Sequence, residues 1–308
     1  MGFALTIKYK GLPFLAEFPW KISIVSSMAF PRITQNRSVL VEDLLKILND
    51  SFFDAIEVPS IDQENWSRLM KHATEKVTIR SLQPDILTNK LDMNAFDSSE
   101  RQRSMDKIKS EINLAAHRGI GLICVCSGPD PGASKRGEAR DTLVVSLVEI
   151  CEYAREKCIR IALETFDRDY DKKLLFGPLD EAAEVVTKVR TRCDNIGLMW
   201  DLSHAPLLKE TPNDVRRIAS LLGHIHIGCA KRTNGSYLDT HPGFYTKGAV
   251  NSENDLTALL QVLLDVKYQG MIGFEVKPES EQTSEEIIAT SKGVLVGAYQ
   301  RVVVNSLG

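Results

Sequence analysis

Eight short β-branched runs alternate with longer amphipathic stretches along the chain. They read as strands at KISIVSSMAF (21–30), FDAIEVPS (53–60), VTIRSLQ (77–83), GLICVCSG (121–128), IRIALETF (159–166), IGLMWDLS (196–203), HIHIGCA (224–230) and GMIGFEV (270–276). Helical apolar spacing follows them near 41–50, 61–74, 98–118, 139–157, 179–190, 212–222, 253–266 and 283–303. A helix between successive strands lets them lie parallel, and eight such units are the number that closes a (β/α)8 TIM barrel. The expectation is one α/β domain over residues 1–308, with residues 1–20 as a candidate N-terminal cap on the barrel floor. An open doubly wound sheet is the competing architecture; the lack of a GxGxxG turn counts against it.

Composition narrows the function. The formal net charge is −3, which gives no general electrostatic attraction for nucleic acid. No apolar run of membrane-spanning length stands out in the sequence, and Lys8, Lys10 and Glu17 interrupt any secretory leader. Six scattered cysteines without a CxxC pair read as free buried thiols in a reducing compartment, so a cytoplasmic location is expected. Trp66 and Trp200 read as core, and His72 and His117 as helical residues without a role.

In a barrel of parallel strands, chemistry collects at the C-terminal strand ends. Glu57, Gln83, Glu164, Asp201 and Glu275 stand at such ends, with His204 just after strand six. His224 and His226 lie two apart in strand seven and so share a face. Three carboxylates and one imidazole, Glu164, Asp201, His226 and Glu275, come from strands five to eight and converge on one side of the mouth. Carboxylates that close repel one another unless a cation neutralises them. An oxygen-rich set with one imidazole suits a single divalent ion, Mn²⁺ first, with Mg²⁺, Co²⁺ or Zn²⁺ as alternatives. His224 lies deeper and reads as a packed histidine beneath the ligand.

The stretches ALETF, DLSH, HIHIG followed by Arg232, and FEVKP resemble the sugar isomerase/epimerase superfamily, the xylose-isomerase-like TIM barrels, over nearly the whole chain. The resemblance implies the same four metal ligands, with His204 and Arg232 holding sugar oxygens. FFDAIE, DTHPGFY and FEVKP are also similar to a subgroup that includes large subunits of bacterial C-glycoside-cleaving enzymes, which work with a small β-rich partner on 3-keto sugars. The resemblance implies a metal-dependent sugar isomerase or epimerase; the alternative is the catalytic subunit of a C-glycoside deglycosidase, a carbon–carbon lyase.

Both reactions begin by removing a proton beside a carbonyl. Glu164 and Glu275 are the candidate proton carriers, with His204 and His241 as further catalytic candidates. Arg232, Glu57, Gln83 and Lys277 are the candidate substrate contacts. The expected partner is a small sugar or glycoside, with neither nucleic acid nor membrane. A homo-oligomer and the β-rich subunit both stay open.

Overall fold

The structure is a computed structural model that describes residues 2–72 and 76–307. Eight parallel strands form one sheet: β1 Lys21–Ile24, β2 Ala55–Val58, β3 Val77–Ser81, β4 Leu122–Val125, β5 Arg160–Glu164, β6 Ile196–Asp201, β7 Leu222–Ile227 and β8 Met271–Phe274. Their spatial order is β1-β8-β7-β6-β5-β4-β3-β2. The seam between β1 and β2 is held by Asp54 N–H donating to Ile22 O at 2.8 Å and by a bridge between Val25 and Glu57. This is the expected (β/α)8 barrel.

Two apolar layers stabilise it. Inside the barrel, Ala55, Ile79, Leu122, Cys124, Ala162 and Met199 pack together. A much larger layer lies between barrel and helices, where Ile22, Ile56, Leu198, Trp200 and Phe274 meet the apolar stripes of the surrounding helices. Alternation along each strand produces both layers, because successive side chains point to opposite faces. Thus Trp200 turns outward, its Nε1–H donating to Glu210 Oε2 at 2.9 Å, while Asp201 beside it turns into the mouth.

Several local readings are corrected. The first strand stops at Ile24 and gives way to a helical turn, Ser26–Ala29. The third stops at Ser81, and Gln83 begins a helix, Gln83–Thr88, started by Pro84. The segment after β6 is a 3₁₀ helix, Pro212–Leu221, opened by a Thr211/Asp214 capping box. The second helix is Gln63–Met70; residues 73 and 74 of the expected span lie outside the described residues. Five cysteines are buried, but Cys158 is exposed at a left-handed turn. The last helix, Ser284–Leu307, is long and apolar enough to cross a membrane by length and composition. Here it packs on the barrel through Ile287, Val294, Leu295, Ala298 and Val302.

Residues ahead of β1 form an antiparallel hairpin, Ala4–Tyr9 with Leu12–Glu17. Its base docks near the N-terminal ends of the strands: Phe3 stacks on Phe18 (4.7 Å) and Phe52 (5.4 Å), and Tyr299 Oη donates to Glu17 O at 2.5 Å. Its far end carries exposed Leu12 and Leu15.

Candidate metal centre and its cavity

Register aligns the mouth residues. Asp201 on β6 pairs with His226 on β7, and His226 pairs with Gly273 on β8. Glu164 closes β5, and Glu275 follows the last residue of β8. Donor atoms of Glu164, Asp201, His226 and Glu275 all lie within 4.8 Å of one another. Glycine makes this approach possible: a Cβ on Gly228 would sit 2.2 Å from Glu275 O.

The cluster is charged and largely buried. Burial, reinforced by Glu275 and Asp201, lifts the Glu164 carboxyl to about 8 against the pull of His204 and His226. Burial would also lift Glu275, but His241 and His226 hold it down to about 2. His226 Nδ1 lies 2.6 Å from Glu275 Oε2. Burial opposes charge on His226, yet Glu57 and Glu275 raise its pKa well above the ordinary imidazole value. Glu164 Oε1 and Asp201 Oδ2 are buried without a hydrogen-bond partner. Two orphaned carboxylate oxygens beside an imidazole and a third carboxylate fit a hard divalent cation, which satisfies such lone pairs.

A cavity of about 180 Å³ opens over this cluster. Glu164, His226, Glu275, Gln83 and His241 line it, together with Lys172 and Asp239. Val25, Met28, Pro84, Leu87 and Phe166 supply an apolar wall. Gln83 Nε2 donates to Glu164 Oε2 at 2.7 Å, and its Oε1 is left without a partner. His241 has a left-handed backbone (φ 52°), a cost that tertiary structure must hold in place. Its Nε2 lies 2.7 Å from Asp239 Oδ1 and its Nδ1 3.1 Å from Ser203 Oγ. Burial opposes charge on this ring, but Glu275 and Asp239 raise its pKa to about 9.

Other sequence candidates stand elsewhere. His204 is buried behind the cavity wall, against Phe166; Thr165 O takes its Nδ1 side at 2.8 Å and Asp239 Oδ1 its Nε2 side at 3.2 Å. Glu57 lies beneath His226 and does not line the cavity, because its strand points it at the barrel axis one layer below the mouth. Arg232 is exposed: after β7 the chain turns into a hairpin, Lys231–Thr233 with Ser236–Leu238, which carries the guanidinium out against the Tyr237 ring at 5.6 Å. Lys277 is also exposed, since β8 ends at Phe274; its N–H donates to His241 O at 2.7 Å. The structure thus leaves Glu57, Arg232, Lys277 and His204 outside the lining of this cavity, whereas Gln83 and His241 line it.

Asp239 and Lys172 were not picked out from the sequence. Lys172 Nζ lies 3.3 Å from Asp239 Oδ2 and 2.9 Å from Asp171 Oδ2. Asp239 also joins His204 to His241, and these rings hold its pKa well below the carboxylate range despite burial. Asp239 and His241 lie past the strand Ser236–Leu238, where the backbone is irregular and His241 is left-handed, so strand alternation gave no signal for Asp239. Lys172 sits in an irregular loop and gave none.

Comparison with solved structures gives similar folds. A D-tagatose 3-epimerase-like protein is 22% identical with a TM-score of 0.68, over 93% of this chain and 99% of that one. The IOLI protein, solved with a zinc atom, is 15% identical with a TM-score of 0.69, over 92% and 99%. The E. coli 3-keto-D-glucoside 4-epimerase YcjR is 16% identical with a TM-score of 0.65, over 91% and 99%. No curated protein matches the chain in sequence. The sequence matches the xylose isomerase-like TIM barrel family over residues 46–294, a span that holds seven of the eight barrel strands and all four clustered candidate ligands, and the chain belongs to that family.

Proposed function

We propose that this protein is a divalent-metal-dependent sugar isomerase or epimerase acting on an unphosphorylated keto sugar or 3-keto glycoside. The observation that carries the reading is the convergence of Glu164, Asp201, His226 and Glu275, with two buried carboxylate oxygens left without a hydrogen bond. These four residues would hold the cation, with Mn²⁺ the first candidate. Bound there, it supplies positive charge against the oxyanion that grows as a C–H bond beside the carbonyl breaks.

The chain's own groups divide the remaining work. Glu164 closes β5 and Glu275 follows β8, and the two can take and return the proton from different sides of the sugar. Gln83 offers its free Oε1 to a hydroxyl, and Lys172 and His241 face the same space. The apolar wall limits water near the carbanion. Lys172 is the only Lys or Arg among the described lining residues, and Asp171 and Asp239 already neutralise it. A phosphate would therefore meet no free cationic side chain there, which favours a neutral sugar. Similar folds in a D-tagatose 3-epimerase-like protein and a 3-keto-D-glucoside 4-epimerase support the substrate class. The lyase alternative shares the first proton transfer and has no separate support in the cavity.

The test has two parts. Metal content after Mn²⁺ loading and desalting should be near one per chain in the wild type and lost in Asp201→Ala. Wild-type protein in D₂O should then exchange a carbon-bound proton of a ketose or 3-keto glucoside, followed by NMR. Stoichiometric metal without exchange on any keto sugar would sink the enzymatic reading.

A further inference from the structure

Beneath the metal cluster lies a carboxylate that the proposed chemistry does not use. Glu57 is fully buried on β2 and gathers groups from three other strands. Ser23 Oγ on β1 donates to Oε1 at 2.7 Å, and Ser81 Oγ on β3 lies 3.4 Å from Oε2. On β7, His224 Nε2 is 2.9 Å from Oε1, and His226 Nε2 is 3.1 Å and 3.0 Å from the two oxygens. The space is full: a Cβ on Gly273 would come within 2.5 Å of Glu57 Oε1, 2.7 Å of Ser23 Oγ and 2.9 Å of His226 Cδ2.

An ionised carboxylate only accepts hydrogen bonds, so both facing Nε2 atoms must carry the proton. For His224 this agrees with its other nitrogen. Nδ1 is buried without a partner, and an N–H there would be left unsatisfied. For His226 the consequence is functional. Here Nδ1 faces the ionised Glu275 carboxylate at 2.6 Å and donates to it as well; with Nε2 tied to Glu57, Nδ1 is the nitrogen that would turn its lone pair to a cation in place of that proton.

We propose that Glu57 is a positioning residue: it fixes the tautomer and ring orientation of His226 so that Nδ1 faces the cation, with His224 and Ser23 holding Glu57 in turn. Carboxylate partners behind ligating histidines act this way in metal sites generally. The inference rests on the metal reading for its purpose, but not for its geometry.

The experiment uses the full chain labelled with ¹⁵N-histidine. In metal-free wild type, the spectrum should show a proton on His226 Nε2 and on His224 Nε2, and Glu57→Gln should disturb both signals. Mn²⁺ affinity, read by titration calorimetry, should fall roughly 10- to 100-fold in Glu57→Gln. Glu57→Asp, which keeps the acceptor, should recover part of that loss. If Glu57→Gln does not fold, His224→Gln should show a smaller loss of affinity with the same shift at His226. Wild-type His226 without a proton on Nε2, or undiminished Mn²⁺ affinity in folded Glu57→Gln, would overturn the proposal. A wild type that binds no divalent ion would overturn the proposed function instead, while the tautomer signals would still decide the role of Glu57.

Discussion

Around the N-terminal ends of the strands, Phe3, Phe18, Trp20 and Tyr299 interlock edge to face and stacked, with ring centroids 4.7–5.9 Å apart. The one polar atom on Trp20 is satisfied, its Nε1–H donating to Tyr268 O at 2.9 Å. At the C-terminal ends, three carboxylates crowd one imidazole, two buried oxygens lack a hydrogen bond, and His241 holds a left-handed backbone. One end of the barrel lowers the free energy of the fold. The other carries unmet electrostatic demand that a ligand could meet. The difference shows that a parallel barrel can separate stability from chemistry along its axis.

The largest effect that would test this division is a change of opposite sign at the mouth. Glu164→Gln removes one of the crowded carboxylates, so the metal-free protein should melt no lower than wild type in scanning calorimetry. Proton exchange should meanwhile fall roughly 10²–10⁴-fold, the usual contribution of a positioned acid or base. A variant that loses stability and activity together would mean that the mouth also holds up the fold.

The floor should behave in the reverse way. Trp20→Ala deletes a side chain that is 4% exposed together with its hydrogen bond. Denaturant unfolding should show a loss of about 3–5 kcal/mol, typical for truncating a buried aromatic. The folded fraction should keep its metal affinity. Weakened Mn²⁺ binding in folded Trp20→Ala would join the two ends.

The two ends were also unequally legible in the sequence. The candidate ligands at the mouth are legible because polar residues near the ends of apolar strands are exceptions, and Glu164, Asp201, His226 and Glu275 stand there. Glu57 looks like the same exception, yet it does not line the cavity. Its position on the strand was right, but only the three-dimensional register shows that it lies a layer lower, between Ser23, Ser81 and His224. Arg232 and Lys277 stand outside the cavity for a different reason. Both lie past the ends of their strands, where the chain's direction depends on a hairpin and a bridge at Pro242 rather than on periodicity. The N-terminal hairpin was only half legible: Leu5, Ile7 and Tyr9 alternate cleanly in its first strand, while its second, Leu12–Glu17, is mostly exposed and breaks the pattern.

The smallest effect probes the boundary between the regions, on a single strand. Trp200 points outward from β6 and Asp201 inward, and Glu210 receives both Trp200 Nε1–H and Leu179 N–H. Burial raises the Glu210 carboxyl to about 7, only partly offset by those donors. Its folded pKa thus exceeds the unfolded value near 4.5, so the folded state binds the proton more tightly. The resulting stability is fully present below about pH 4.5 and is lost as pH rises through about 7. Partial exposure screens the effect, leaving a contribution on the order of 2 kcal/mol. Unfolding titrations between pH 4.5 and 8 should therefore fall more steeply with pH in wild type than in Glu210→Gln, which has no proton to lose. Mn²⁺ affinity over the same range should change in parallel for the two proteins. If the outward layer and the mouth are separate, protonation behind Trp200 leaves Asp201 where it is. A Glu210→Gln variant with a shifted pH profile for Mn²⁺ would show that the strand transmits the change from one face to the other.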